Sequence, residues 1–206
     1  MIDIISKSGA VRCSVEITAK CVYHKELQAE EYVLLSFDSD VLIPLAKGDY
    51  IRTEFGRFEI VNLAKPKHNV GTDGGYTYEQ KFHAPWEKWK NRKMFYSRQK
   101  GFEKAWKMTN YPQYFLQILV DNLKAAGFGD WQFTFDASLT EMKLLSFDGT
   151  DLLAALTMIA EAWTTEWWIT DNVIHLSRCE YGSAVRFEVG DIISDMSRGD
   201  SQDTDY

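Results

Sequence analysis

The stretch that decides the fold is Tyr76-Thr77-Tyr78-Glu79-Gln80-Lys81-Phe82-His83. Successive side chains of a β-strand point to opposite faces, so a strand has a period of two residues. The even-numbered residues therefore share one face of a predicted strand, and the odd-numbered residues share the other. Pro85 follows two residues later and ends the strand, because its ring removes a backbone donor.

The chain before this stretch consists of short strand-like runs separated by turns. Val11, Cys13, Val15 and Ile17 alternate with polar residues, which is the pattern of a half-buried strand. Many short strands with turns between them indicate a small barrel or sandwich. The strand-like runs are 11–17, 32–35, 41–44, 50–54 and 57–61, and the turns are Gly48-Asp49, Phe55-Gly56 and the glycine-rich loop Gly71–Gly75.

The chain changes character between residues 85 and 110. Residues 86–93 read Trp-Glu-Lys-Trp-Lys-Asn-Arg-Lys, a mixture of large rings and cations without strand or helix periodicity. We expect this stretch to connect two parts of the protein and not to form a core element.

Two helices are predicted in the second half of the chain. The first covers 111–126, because Pro112 suits a first helical turn and Gly127 suits a C-terminal stop. The second starts near Thr150, with Asp151 at the positive end of the helix dipole. The side chains at helical spacing are Phe115, Ile118, Leu119, Asn122 and Ala126 in the first helix and Leu152, Leu156, Ile159 and Trp163 in the second.

Strands are predicted after each of these helices. Residues 131–135 and 142–147 follow the first helix, and a hairpin of 167–170 and 173–176 with a turn at Asp171-Asn172 follows the second. The element order is therefore helix, strand, strand, twice over, which is a faint internal duplication.

The predicted fold class is α+β, with a β-barrel-like domain interrupted by an inserted α+β domain of two helices and short strands. We place the β-barrel-like domain at 1–95, the inserted domain at 96–180 and a returning β segment at 181–206. Val185-Arg186-Phe187-Glu188-Val189 begins that return. Residues 183–206 are too few to finish a domain, so we expect the chain to be a fragment of a longer protein.

Composition excludes several classes of function. The chain has 206 residues, seven Trp, a net charge of -7 and a pI of about 5.2. An acidic protein lacks the cationic face that displaces counterions from nucleic acid or binds anionic membranes. The first residues do not resemble a signal peptide, and no apolar run approaches the length of a spanning helix. Three scattered cysteines, Cys13, Cys21 and Cys179, indicate free thiols and synthesis in a cytoplasm.

Two short motifs could in principle hold a metal. Cys21 and His24 have C-x-x-H spacing, but in a strand they point to opposite faces, and no second ligand pair follows. Asp38 and Asp40 form the D-x-D pair that sugar-transferring enzymes use for a divalent cation. No alternating βαβ pattern accompanies that pair, so a solvated turn is the simpler interpretation. We predict neither a metal ligand nor a cofactor.

The histidines do not predict catalysis. None of His24, His68, His83 and His175 lies beside a nucleophile in a recognisable motif. His68 is expected in a loop, and His175 is expected to point away from Ile174 and Leu176, toward solvent or a partner. We predict no catalytic residue from this pattern.

The aromatic residues leave three interpretations open. Trp86, Trp89, Tyr96, Phe102 and Trp106 interleave with lysine and arginine, as in a platform for single-stranded nucleic acid. Outward rings could instead stack on sugars. Burial in the core and in subunit interfaces is the interpretation we favour, because such rings bury roughly 150–250 Å² each.

The adjacent pair Trp167-Trp168 cannot be buried as a unit. Neighbouring residues of a strand face opposite sides, so one of the two indoles must leave the core. That outward indole is a candidate contact with a neighbouring protein.

Two stretches resemble the tail hub proteins of phages and prophages. In that family a leucine-rich helix precedes a hairpin with an aromatic pair, and a strand-rich barrel comes first. The resemblance implies β-barrel domains with an α+β insertion, a ring that is often trimeric, and a place at the distal end of the tail tube. The matching residues are Leu145–Leu156, Ile159–Ala162 and Trp167–Ile169 for the helix and hairpin, and Gly48–Ile51, Phe58–Ile60 and Gly74–Glu79 for the barrel.

We therefore expect a structural, non-catalytic component of a phage or prophage tail hub or baseplate. It would assemble with itself, contact tail-tube or spike proteins, and be located in the virion tail after synthesis in the bacterial host cytoplasm. It would bind no nucleic acid and insert in no membrane. The alternative is a carbohydrate-binding module for host-surface glycans. A third hypothesis is an enzyme whose paired carboxylates meet only in three dimensions, about 5–9 Å apart.

Overall fold

The computed structural model describes residues 1–69, 74–96, 103–170 and 172–178. The described residues before Pro85 form eight short strands and no helix. These strands are β1 Ile2–Ile5, β2 Val11–Val15, β3 Val22–Lys25, β4 Glu31–Ser39, β5 Tyr50–Thr53, β6 Gly56–Glu59, β7 Lys67–His68 and β8 Tyr76–His83.

The eight strands form one curled antiparallel sheet. Seven of them follow the order β2-β1-β5-β6-β8-β4-β3, and β7 pairs with β8. The strands at the two ends of this order, β2 and β3, are joined by residues 16–21 alone. Six residues span at most about 20 Å, so the sheet must curl until its two edges approach each other. The predicted barrel-like sheet is therefore present, as a half-barrel with an open side.

The alternating stretch 76–83 lies at the centre of this sheet. It forms β8, which pairs with β4 along its whole length from Tyr76↔Ser39 to His83↔Tyr32. Tyr78, Gln80 and Phe82 are buried, whereas Glu79 and Lys81 are exposed. The predicted division of this strand into two faces is confirmed.

Two local predictions in the first half are wrong. Residues 41–44 form no strand; Val41 and Leu42 are exposed, and Ile43 binds the Tyr78 hydroxyl through its backbone N–H at 2.7 Å. An apolar run becomes a strand only where a neighbouring edge is available to pair with it. His68 is not in a loop, because it belongs to the two-residue strand β7 and pairs with Tyr76.

The second part of the chain combines helices and strands in the predicted order. From the first α-helix onward, the predicted order of helix, strand, strand, helix, strand, strand is confirmed. The elements are a 3-10 helix Pro85–Asn91, β9 Ala105–Asn110, α1 Pro112–Ala125, β10 Gln132–Phe135, β11 Lys143–Asp148, α2 Leu152–Ala162, β12 Glu166–Thr170 and β13 Val173–Ser177.

Local signals set the helix ends. Pro112 occupies the first turn of α1, and Gly127 follows its C-terminus with a φ of +82°. In α2 the Asp151 carboxylate accepts a hydrogen bond of 2.9 Å from the Ala154 backbone N–H, which satisfies one of the free donors of the first turn. Both helices therefore begin within two residues of the predicted positions, and α1 also ends within one residue of its predicted end.

The stretch 85–110 is not merely a connection, contrary to the sequence-based expectation. Trp86 and Trp89 lie three residues apart in a 3-10 helix, so they fall on the same side of it, and both are buried. Met94 is buried completely, and β9 pairs with β11 over six residues. Trp86 and Trp89 are buried because their helix packs against β6 and α2, which the local sequence does not indicate.

The second half contains two small sheets. β12 and β13 form the predicted antiparallel hairpin, and β10 adds to β13 in parallel, which gives the order β10-β13-β12. β11 pairs with β9 in a separate ladder. The two helix-strand-strand units therefore share an element order but not a pairing pattern.

One cluster of buried apolar side chains runs through both halves of the chain, from Ile4 in β1 to Leu176 in β13. The 3-10 helix contacts both β6 and α2. The domain division at residues 95 and 180 stays a prediction, and the returning segment 181–206 lies outside the described residues.

Candidate interaction surfaces

The curled sheet has a groove lined mainly by apolar side chains, with walls from β1, β3, β4 and the β5–β6 hairpin, where Arg52 and Glu54 are its charged residues. Its floor consists of inward-facing side chains of β4, Val33 and Leu35, which are almost completely buried. Cys21 and Tyr23 border it on the β3 side, and Ile2 borders it on the β1 side. The enclosed volume is about 430 Å³. We call this feature the groove.

Large apolar side chains at the rim of the groove are exposed to solvent. Met1, Ile17 and Phe55 have exposed fractions of 88%, 57% and 51%. The Phe55 ring also stacks on Tyr23, with centroids 3.9 Å apart and an interplanar angle of 1°. Contiguous exposed apolar surface of this kind commonly marks a binding surface.

The outward side of the β10-β13-β12 sheet carries a second candidate surface. His175 lies at its centre, with Ile174 and Leu176 fully buried on the opposite side. The His175 imidazole stacks on Trp168, with centroids 5.0 Å apart, and its Nδ1 is 2.7 Å from the Thr134 hydroxyl oxygen. We call this surface, defined by Thr134, Trp168 and His175, the outer face.

The outer face confirms the expected division of the two adjacent tryptophans. Trp167 has an exposed fraction of 2%, and its indole N–H lies 3.2 Å from the Thr157 hydroxyl oxygen. Trp168 points the other way and is only half-buried. The outward direction predicted for His175 is confirmed as well.

The basic and aromatic stretch does not form an exposed platform. Trp86, Trp89 and Trp106 are buried, and Trp89 packs edge to face against Trp131 with centroids 4.8 Å apart. Tyr96 is 47% exposed, and Phe102 lies outside the described residues. Rings inside the core cannot stack on bases or sugars, so the favoured interpretation of core burial is confirmed for these three tryptophans.

Two lysines of residues 86–93 are paired with carboxylates. Lys88 forms an ion pair with Glu59, and Lys90 lies 2.7 Å from Glu87. Each pair neutralises a lysine charge that would otherwise be available to bind the phosphates of a nucleic acid.

Polar atoms without hydrogen-bond partners are buried in β8 and in the 3-10 helix that follows it. Three buried side-chain atoms here have no hydrogen-bond partner among the described residues: His83 Nδ1, Glu87 Oε1 and Trp89 Nε1. Burial lowers the pKa of His83, because the charged imidazolium is moved away from water; nearby Glu87 opposes this shift and Lys81 adds to it. No sequence signal predicted these unpaired atoms, since their burial depends on residues of other elements.

A shallow cavity of about 640 Å³ lies between the turn before β4 and helix α2. Its ionisable groups include Glu30, Glu161, Asp151 and Lys90. Asp151 already caps α2, and Lys90 already pairs with Glu87. Glu30 and Glu161 are both exposed to solvent, so nothing removes these carboxylates from water as an acid–base pair would require.

The residues weighed as metal ligands do not come together. Cys21 borders the groove, whereas His24 stacks on Tyr32 on the convex side of the sheet. Asp38 accepts a hydrogen bond of 2.5 Å from the Thr77 hydroxyl at the end of β4. Among the described residues no group of three His, Cys, Asp or Glu side chains has the arrangement of a metal site. Cys179 lies outside them.

Sequence reasoning missed the role of Asp49. Its side chain is 1% exposed and accepts hydrogen bonds from the backbone N–H of Ala46 at 2.9 Å and of Lys7 at 3.2 Å. The Arg12 guanidinium pairs with the same carboxylate at 3.1 Å. Asp49 therefore joins β2, the end of β1 and the turn before β5. Its position in a glycine–aspartate turn indicated the turn, but not these distant donors.

Two solved structures share this fold. The prophage tail protein gp18 from Listeria monocytogenes EGD-e matches with a TM-score of 0.59 at 6% identity, over 86% of this chain and 50% of its own. The 43 kDa tail protein of prophage MuSo2 from Shewanella oneidensis matches with a TM-score of 0.51 at 10% identity, over 75% of this chain and 47% of its own. The chain thus spans about half the length of both proteins.

No family model matches this sequence, and no curated protein does either. Within the part of the chain that the structure describes, no helix has the length and apolar character needed to cross a membrane.

Proposed function

We propose that this chain is a structural component of a phage or prophage tail. The observation that carries the proposal is the fold it shares with two prophage tail proteins from different bacteria. Identities of 6% and 10% leave the fold as the only common feature, so the activity of those proteins is not transferred residue by residue.

Within the tail, we propose a place in the hub or baseplate. There the chain would self-assemble into a ring, often trimeric in the tail hub family that the sequence resembles, and contact tail-tube or spike proteins. Two surfaces support an assembly role. The rim of the groove exposes Met1, Ile17 and Phe55, and the outer face turns Trp168 outward. Aromatic and apolar anchors of this kind contribute most of the binding energy of protein interfaces.

We propose that the chain itself is non-catalytic, is synthesised in the host cytoplasm and becomes part of the virion tail. Supporting this are the open, solvated surroundings of Glu30 and Glu161 and the existing partners of Asp151 and Lys90. The two described cysteines are free thiols, as suits a protein made in a reducing compartment.

Immunogold labelling of tail particles tests this proposal. Antibody raised against the chain is applied to particles released after prophage induction, and electron microscopy records the gold positions. We expect gold at one end of the tail tube. Gold confined to cell debris, with no label on intact tails, would overturn the proposal.

Light scattering on the purified full-length gene product tests the ring. A mass of several protomers supports it, and a strict monomer at high protein concentration contradicts ring formation while leaving the tail location to the gold experiment.

A carbohydrate-binding function is the second candidate, and the outer face is the observation that favours it. Trp168 is an outward indole with a hydroxyl and an imidazole nearby, the mixture that sugar-binding surfaces use. One side of this indole is covered by His175 at 5.0 Å, which leaves less of the ring for stacking. A glycan array probed with the wild-type protein and with Trp168→Ala distinguishes a sugar-binding surface from an assembly surface. Wild-type signal that is lost in the variant would support sugar binding.

A further inference from the structure

A pocket beside the 3-10 helix carries an excess of positive charge. It is formed by the end of β1, the turn before β5, strand β6 and the 3-10 helix, and it encloses about 520 Å³. The whole chain has a net charge of -7, so this local excess is the reverse of its composition. We call this feature the basic pocket. Its charged residues are four cations and one carboxylate: Lys7, Lys47, Arg57, Lys88 and Glu59.

Glu59 holds two of these cations in place. Its side chain is only 11% exposed, and its Oε1 lies 2.9 Å from Arg57 Nη2, while its Oε2 forms an ion pair with Lys88. The Arg57 guanidinium also lies over the Tyr50 ring, 3.9 Å from its centroid. One carboxylate neutralises only one of two cations, so this group keeps a positive charge. Because both side chains are already fixed, little further side-chain entropy is lost when an anion binds.

Lys7 and Lys47 supply charge that no carboxylate of the described chain neutralises. Among the described residues, no ion pair involves the ammonium group of either lysine. The Lys7 backbone N–H donates to the Asp49 carboxylate at 3.2 Å. Its side chain passes close to Gly48, where an added Cβ would lie 3.3 Å from Lys7 Cδ. Both lysines are exposed, so a partner can reach them.

The composition of the basic pocket favours carboxylates over phosphates. Phosphate sites commonly use backbone N–H groups together with cations. Here the N–H of Lys7 is bonded to Asp49, and the N–H of Gly48 is bonded to the Ile60 carbonyl oxygen at 2.9 Å. A nucleic acid would extend beyond a pocket of this size and would be repelled by the acidic remainder of the chain. Side-chain cations from four parts of the chain instead suit several separate carboxylates.

We propose that the basic pocket binds an acidic peptide segment of a partner protein. Carboxylates of that segment pair with Lys7 and Lys47, and the fixed Arg57 and Lys88 add to the positive potential that attracts them. This inference does not depend on the proposed tail function, because it follows from the charge and geometry of the pocket.

Binding of a fluorescently labelled hexaglutamate peptide to the full chain tests this proposal. Fluorescence anisotropy at low salt measures the affinity of the wild type and of the double variant Lys7→Gln, Lys47→Gln. We expect the double variant to bind about tenfold more weakly, because it loses two ion pairs with the peptide. The matched control is Lys20→Gln, Lys107→Gln, which changes the net charge equally at two exposed positions outside the pocket and should alter the affinity less than about twofold.

Salt and an uncharged peptide test the electrostatic origin of binding. The wild-type affinity should fall several-fold when the salt concentration is raised from about 0.01 M to about 0.15 M, because the Debye length shortens from about 30 Å to about 8 Å. Hexaglutamine should not bind. Circular dichroism checks the fold of each variant, and the single variant Lys47→Gln replaces the double variant if that does not fold. Absence of hexaglutamate binding, or equal affinities in the pocket variant and the control, would overturn the proposal.

Competition separates a carboxylate site from a phosphate site. Unlabelled hexaglutamate, inorganic phosphate and a short single-stranded DNA oligonucleotide each compete with the labelled peptide. We expect unlabelled hexaglutamate to displace it at the lowest concentration. Displacement by phosphate or by the oligonucleotide at a lower concentration would show that the pocket prefers phosphates, and that result would also overturn the proposal.

Discussion

Trp86 and Trp167 meet edge to face, with ring centroids 5.5 Å apart and ring planes at 88°. Trp86 belongs to the 3-10 helix that follows the curled sheet, and Trp167 belongs to the hairpin after α2. Edge-to-face pairs contribute about 0.5–1.5 kcal/mol beyond the area that they bury. This contact joins the strand-rich half of the molecule to the helical half.

The two neighbouring tryptophans of β12 should therefore differ sharply in their effect on stability. Trp167→Ala leaves a cavity beside Trp86 and should lower the free energy of unfolding by about 3–5 kcal/mol. Trp168→Ala, on the solvent side of the same strand, should cost below about 1.5 kcal/mol. Urea unfolding followed by circular dichroism measures both. Similar losses in the two variants would contradict the assigned directions of the side chains.

Trp168→Ala should nevertheless affect assembly, if the outer face is an interface. We expect the variant to fold normally and to be incorporated into tails several-fold less than wild type, because a central aromatic anchor carries much of an interface's energy. Quantitative immunoblotting of purified particles measures incorporation. Thr140→Ala, an exposed change in the loop between β10 and β11, is the control. Normal incorporation of Trp168→Ala would show that the outer face is not an interface within the tail.

Asp49→Ala should be among the most destabilising polar substitutions. It leaves the N–H groups of Lys7 and Ala46 and the Arg12 guanidinium without their buried acceptor. We expect a loss of about 2–4 kcal/mol in the free energy of unfolding. Asp40→Ala, at an exposed carboxylate, should cost less than about 0.5 kcal/mol. A loss at Asp49 no larger than at Asp40 would show that the three donors find other acceptors.

The half-buried His83, whose Nδ1 is buried without a hydrogen-bond partner among the described residues, predicts a dependence of stability on pH. Burial lowers its pKa in the folded protein, so as the pH falls the unfolded chain binds the proton first. The stability associated with neutral His83 is therefore complete above about pH 6.5 and is lost as the pH falls toward the folded-state value. His83→Gln should flatten the urea midpoint between about pH 7 and about pH 5 relative to wild type. His68→Gln, at an exposed position of β7, should retain the wild-type slope.

Two adjacent glycines before β8 provide a matched pair for a backbone test. Gly75 has a φ of +106°, and an added Cβ would lie 3.0 Å from the Ser39 carbonyl oxygen. Gly74 has a φ of +51° and open space around the same position. Gly75→Ala should cost about 2–3 kcal/mol and Gly74→Ala about 1 kcal/mol, because only the first adds a clash to the backbone strain. Thermal unfolding measures both, and equal shifts would contradict the close approach of β4 to this turn.

Local chemistry explains why several elements were predictable. The alternation in residues 76–83, Pro112 and Gly127 around α1, and the Asp151 cap of α2 each act within a few residues. These signals depend on backbone geometry and nearest neighbours, so the sequence contains them in full.

The failures share one physical cause. Residues 41–44 have the composition of a strand but find no edge to pair with, and Trp86 and Trp89 look like parts of a basic connection but pack between a sheet and a helix. Pairing and burial depend on surfaces contributed by distant residues. A local sequence pattern therefore cannot predict this pairing and burial.

The same distinction between local sequence and tertiary structure applies to the candidate surfaces. That one of Trp167 and Trp168 must face outward follows from the period of a strand, so the sequence alone established the existence of an outward indole. Which of the two it is, and that it stacks on His175, was decided by the packing of β12 against α2. The groove was decided by tertiary structure alone, because its walls from β1, β3, β4 and the β5–β6 hairpin are brought together by hydrogen bonds between residues far apart in the chain.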